Sequence, residues 1–154
     1  MPLPLAAAAA LDPTLLAGPG FVTLAYLTLY YGAMIHILRV KLRLSAAYAA
    51  RGDKFDRYFG NDREMLAADR IQLNTLEHMP AFLALLWMDA LFVSAVEATV
   101  LGAVYVGTRA LYPFLIGRRL GRGIPARIFI ATATGYVILG AMGVRCAMAF
   151  FGWV

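Results

Sequence analysis

Polarity along this chain comes in long blocks. The run from Phe21 to Leu38 carries no formal charge. A second run, from about Leu76 to Val96, carries Glu77, His78 and Asp89. A third, from about Ala98 to Ile116, carries Arg109, and a fourth, from Ile128 to Val154, carries Arg145. A helix that crosses the hydrocarbon core needs about 20 mostly apolar residues, and each run is of that order. Strand-like alternation is absent, which argues against a membrane barrel. Helix is the form that satisfies its own backbone in lipid. The pattern predicts an all-α integral membrane four-helix bundle, one domain over residues 1–154. Its spans are expected at about 21–40, 70–96, 98–118 and 127–153, with a long loop at about 41–69. Ahead of the first span, Gly18-Pro19-Gly20 reads as a breaker cluster. The preceding leader has no Lys or Arg, so it lacks the basic start of a signal peptide and is expected to stay uncleaved.

Composition supports the membrane reading. The chain is 62% hydrophobic and 15% charged, with a mean hydropathy of +0.71. A 16.8 kDa globule in water cannot bury so much apolar surface. The net charge of +5 sits in two places. One is the 39–69 segment, with Arg39, Lys41, Arg43, Arg51, Lys54, Arg57 and Arg63 partly offset by acids. The other is Arg118, Arg119, Arg122 and Arg127, with no acid. Lys/Arg excess marks the cytoplasmic side. Both basic loops are therefore expected inside and both termini outside. Twelve Arg against two Lys, with abundant Ala, point to a GC-rich gene and a bacterial inner membrane.

Several chemistries are unsupported. Cys146 is the only cysteine, and His36 and His78 stand far apart, so no metal site is expected. Phosphate-loop and dinucleotide glycine patterns are absent, as is the serine hydrolase elbow. The basic residues are not interleaved with aromatics on a polar face, which argues against a nucleic-acid partner.

Four charges stand where topology does not need them. At about 1.5 Å per residue, Glu77 and Arg109 both fall roughly 10–13 Å from the inner side and are expected to meet. Asp89 and Arg145 both fall roughly 27–28 Å from it and are expected to form a structural pair. A charge at mid-membrane costs about 2.5–3.5 kcal/mol on insertion scales and is functional or paired by default. The inner pair has polar neighbours at i, i+4 and i+7 spacing: Arg70, Asn74 and Glu77 on one helix, Tyr105, Arg109 and Tyr112 on the next. Two such stripes suit a small zwitterion or polyanion. They could also be helix–helix glue, or the gate of a small transporter.

The stretch Asp69-Arg70-Ile71-Gln72-Leu73-Asn74-Thr75-Leu76-Glu77-His78-Met79-Pro80 resembles the signature of the MAPEG family, the membrane-associated proteins in eicosanoid and glutathione metabolism. The family pattern of Arg, three residues, Asn, two residues, Glu and a nearby Pro is met by Arg70, Asn74, Glu77 and Pro80. The stretch VYVGTRALYPFLIGRR also resembles the family, with Arg109 and Tyr112 on its ligand positions. The resemblance implies a homotrimer that binds glutathione between neighbouring subunits near the cytoplasmic side. Arg70 and Arg109 would take the carboxylates of glutathione, Glu77 its ammonium and Asn74 its amides, while Tyr112 would donate a hydrogen bond. Lys41 and Arg43 match a basic stretch that helps hold the peptide in some members. Pro125 and Arg127 align with a Pro-x-Arg motif whose arginine stabilises the thiolate, with one extra loop residue and Arg122 as fallback.

The implied activity is a glutathione-dependent transferase or peroxidase acting on a hydrophobic or lipid electrophile. The sequence departs from the family at Leu66-Ala67, Leu73, Ile116 and Ile128, where several members carry polar residues. One branch of the family has lost catalysis and only binds lipid. A non-catalytic lipid-binding or scaffold subunit is therefore the alternative.

Overall fold

The computed structural model describes residues 14–121, 123 and 126–153. These form α1 (Ala17–Ala49), α2 (Arg63–Asp89), α3 (Ala95–Ile116) and α4 (Ile128–Phe150). The leader's first residues and Arg122 lie outside the described residues. No strand occurs among the described residues.

Each helix boundary has a local cause. Gly18-Pro19-Gly20 does not precede α1 but forms its first turn, where proline needs no backbone donor. At the other end α1 runs nine residues beyond the expected span, because LRLSAAYA is rich in helix formers. The expected long loop is shortened further by an early start to α2. There Asp62 caps the helix, accepting from the backbone N–H of Glu64 and Met65 at 2.9 and 3.1 Å. A single π turn, Ala90–Ser94, leads out of α2. Ser94 is extended (φ −160°, ψ 117°), and its side chain caps α3 through Glu97. The helical run Arg63–Ile116 therefore folds back on itself instead of crossing as one rod. Gly117, at φ +80°, ends α3 in a conformation that favours glycine.

Helices α2 and α3 form an antiparallel hairpin, and α1 and α4 each pack on both of its legs. Its centre is an aromatic stack. Tyr26, Phe82 and Tyr105 are fully buried, with Phe82 and Tyr105 centroids 4.2 Å apart. The Tyr26 hydroxyl donates to the Thr75 carbonyl at 2.6 Å, which ties α1 to α2. The outer faces are apolar and exposed, as at Phe21, Leu24, Val100, Phe129 and Val137. With helices long and apolar enough to cross a bilayer, this is an integral membrane protein.

Ion clusters close the two ends. At the end where α2 turns into α3, Arg145 of α4 donates to both Asp89 oxygens, at 3.2 and 3.3 Å. It also pairs with Glu97 of α3. The expected Asp89–Arg145 pair is therefore present, enlarged to a three-helix clamp. At the end that carries the basic loops, Glu64 of α2 takes Arg43 of α1 and Arg118 beyond α3. Nearby, the Leu120 N–H donates to the Arg63 carbonyl at 2.9 Å. Arg57 straps the loop to Asp69 through two hydrogen bonds of 2.9 and 2.8 Å.

Burial alone would raise the Glu64 carboxyl, but hydrogen bonds from Arg118 and Arg43 outweigh it and hold it below the usual carboxylate range. A carboxyl depressed on folding contributes stability above its unfolded value of about 4.3. That contribution is lost as pH falls through the folded value. Glu64→Gln is expected to cost about 1–2 kcal/mol at pH 7, since both arginines are partly exposed. In thermal melts in detergent, the gap between wild type and variant should hold down to about pH 5 and narrow at lower pH.

Candidate functional site

The stripe read on α3 faces inward. Tyr105, Arg109 and Tyr112 are all buried. The stripe read on α2 does not match it residue for residue. Ile71, Thr75, His78, Phe82 and Leu86 form the buried line of α2. Arg70 and Glu77 stand one residue, about 100° of rotation, before Ile71 and His78. Both are exposed, and Asn74 between them is half-buried.

The expected Glu77–Arg109 pair is therefore not formed within the subunit. Arg109 donates instead to the Asn74 Oδ1 at 2.8 Å, and its Nη2 lies 3.3 Å from the His78 Nδ1. Its guanidinium carbon sits 5.1 Å from the centre of the Tyr105 ring. The gate reading of a small transporter loses its basis with that pair.

Arg109 is 2% exposed and has no carboxylate partner among the described residues. Its Nε, and the buried hydroxyl of Tyr105, have no hydrogen-bond partner there either. A buried guanidinium with a free donor is a site for an anion. Such a donor suits a carboxylate, the group that a small acidic peptide presents.

Gly135 on α4 makes the arrangement possible. A β-carbon there would lie 2.3 Å from the Arg109 Nη2. Sequence reasoning missed both Gly135 and His78. His78 stands four residues after Asn74, and that spacing was the available signal. No sequence pattern pointed to Gly135, because its role depends on how α4 crosses α3.

Other predicted residues gather nearby. Tyr112 is buried in one apolar cluster with Ile71 of α2 and Ile116 of α3. Arg127 opens α4, and its Nε donates to the Leu115 carbonyl at 2.7 Å, just below the end of the α3 stripe. Lys41 lies elsewhere, on the exposed face of α1 in a groove with Arg57 and Tyr58. Arg43 is held by Glu64. Between α1 and α3 a cavity of about 410 Å³ reaches Arg109 past Gly32, Ala33, Ile71 and Pro113. Its walls are chiefly apolar, and Thr28, Leu29 and His36 of α1 also line it.

Gly135→Ala should force the Arg109 guanidinium from its place and lower stability by about 1–3 kcal/mol. Gly107→Ala, on the same α3 helix as Arg109 but with open space at its β-carbon, should be neutral or slightly stabilising. Paired thermal melts of the two variants check this.

Two comparisons bear on this geometry. Human (Homo sapiens) Microsomal glutathione S-transferase 2 is 28% identical over 124 residues, which covers 75% of this chain and 72% of the human protein. The MAPEG family model matches residues 3–148. That match takes in α1 to α3, nearly all of α4 and every residue of the Arg109 cluster, so the chain belongs to the MAPEG family.

Proposed function

We propose that this protein is a glutathione-dependent membrane transferase or peroxidase. The observation that carries the reading is the buried Arg109 guanidinium, which lacks a carboxylate and keeps an unused donor. Family membership and a glutathione transferase relative support it.

Each residue has a task that follows from its chemistry. Arg109 and Arg70 offer planar forks to the two carboxylates of glutathione. Glu77 meets its ammonium. The Asn74 Oδ1 already accepts from Arg109, so its amide N–H groups remain for the peptide. Tyr112 donates a hydroxyl hydrogen bond. Arg70 and Glu77 are exposed in one subunit, and a neighbour in a homotrimer would close the cleft over them. The thiolate of glutathione supplies the nucleophile when bound. Arg127 spends only its Nε on Leu115, which leaves its Nη groups to hold a thiolate below the free-thiol value of about 8.5. The apolar cavity beside Arg109 would admit a hydrophobic electrophile from the bilayer. The basic loops set the inner side, and the termini lie outside.

A specific observation keeps the non-catalytic reading in view. Ile116 and Ile128, where some members carry polar groups, are buried in an apolar cluster with Tyr112. A lipid-binding or scaffold subunit would need no more than that.

Binding of glutathione to the purified protein should raise thiolate absorbance in the ultraviolet, and the complex should conjugate a chlorinated nitroaromatic. Arg127→Ala should return the thiol toward about 8.5, leaving a few per cent thiolate at neutral pH. Conjugation by that variant should then climb with pH through about 8.5, where wild type is already level. Unchanged thiolate absorbance in the variant removes Arg127 from this role. Absence of saturable binding leaves the scaffold reading.

Arg109→Met separates site from glue. An apolar isostere of a buried charge is often neutral or stabilising. The variant should melt no lower than wild type yet lose glutathione binding by tenfold or more. A clear drop in melting temperature with binding retained would make Arg109 a structural residue.

A further inference from the structure

A groove unrelated to the Arg109 cluster runs along the exposed face of α1. Tyr31, Met34, Ile35 and Leu38 line it, Lys41 stands at one end, and Tyr58 of the following loop closes that end. Its volume is about 500 Å³. Tyr31, Met34, Leu38 and Lys41 recur at spacings of three and four, so they form one stripe of the helix.

The stripe's dimensions match one leaflet. From residue 31 to residue 41 a helix rises about 15 Å. That is half of a hydrocarbon core about 30 Å thick. The stripe is therefore apolar for the depth of a leaflet and cationic where headgroups begin.

The charge at that end is available. Lys41 is exposed and makes no ion pair among the described residues. Arg57, the other cation at the groove, is committed. It makes two hydrogen bonds to Asp69, and its guanidinium carbon lies 5.8 Å from the Tyr58 ring centre. That strap holds the loop beside α1. The Asp56 Oδ1 accepts from the N–H of Tyr58 and Phe59 at 3.1 and 2.9 Å. The two aromatic side chains are left 82% and 89% exposed. Exposed aromatics beside a lysine at this level are the pattern of a membrane interface.

We propose that the groove holds an acidic phospholipid of the leaflet facing the basic loops. One acyl chain lies along Tyr31, Met34, Ile35 and Leu38, and the phosphate meets the Lys41 ammonium. This rests on the membrane reading and not on glutathione chemistry.

The test is native mass spectrometry of the purified full chain. Dioleoyl phosphatidylglycerol and dioleoyl phosphatidylcholine are added at equal concentration. One lysine at a charged membrane surface corresponds to about a fivefold preference. Wild type should retain phosphatidylglycerol over phosphatidylcholine by about that factor. Lys41→Gln should bring the ratio near one, and Lys41→Arg should keep it. Arg39→Gln removes a charge of the same sign from a neighbouring exposed position outside the groove, and should also keep it. Equal retention of the two lipids by wild type overturns the proposal, as does a preference that survives Lys41→Gln or falls equally in Arg39→Gln. Efficient cross-linking of Leu38→Cys between copies also overturns it, because a second copy would then cover the groove.

Discussion

Lipid offers the Arg109 guanidinium neither water nor a counterion, and much of the bundle is arranged around that fact. The cation is placed on the inward stripe of α3. Asn74 and His78 of α2 approach two of its nitrogens. Tyr105 presents a ring to it, and α4 comes close only because position 135 has no side chain. Three helices thus converge on one charge that none of them neutralises. A mid-membrane cation costs about 2.5–3.5 kcal/mol on insertion scales, and hydrogen bonds to neutral groups offset only part of that. An anionic ligand would offset the remainder.

The ends of the bundle make the middle unusual by contrast. At the end with the basic loops one acid, Glu64, answers two arginines from other parts of the chain. At the other end one arginine, Arg145, answers two acids on two helices. Both clusters close within the subunit and hold helices together near water, where charge is tolerated. Between them lie an aromatic stack and Arg109. The molecule is zipped at both ends and keeps in between the one uncompensated buried cation among the described residues. That distribution links the fold to the proposed binding of a dicarboxylate peptide.

The membrane reading and the four helices were legible because apolar runs of span length have few alternatives in lipid. The Asp89–Arg145 pair was legible because depth follows from residue count on straight helices. Counting failed for Glu77 and Arg109, which share a depth but not an azimuth. The α2 face toward α3 is the line through Ile71 and His78, and Glu77 lies about 100° away from it. Arg43 matched a family basic stretch, yet the fold commits it to Glu64, a contact 21 residues away that no local spacing reveals.

Sequence alone determined that the chain crosses a membrane as helices, that its basic loops share one side, and that Arg109 shares one stripe of its helix with Tyr105 and Tyr112. Those properties follow from transfer energies and helical periodicity, which act residue by residue. Tertiary structure decided which neighbours that stripe meets: Asn74 and His78 rather than Glu77, with Gly135 making room. It also left Lys41 apart from the cluster, in its own groove beside the loop. Partner choice depends on the rotation and crossing of whole helices, set by packing summed over many side chains, and no short window of sequence carries that sum.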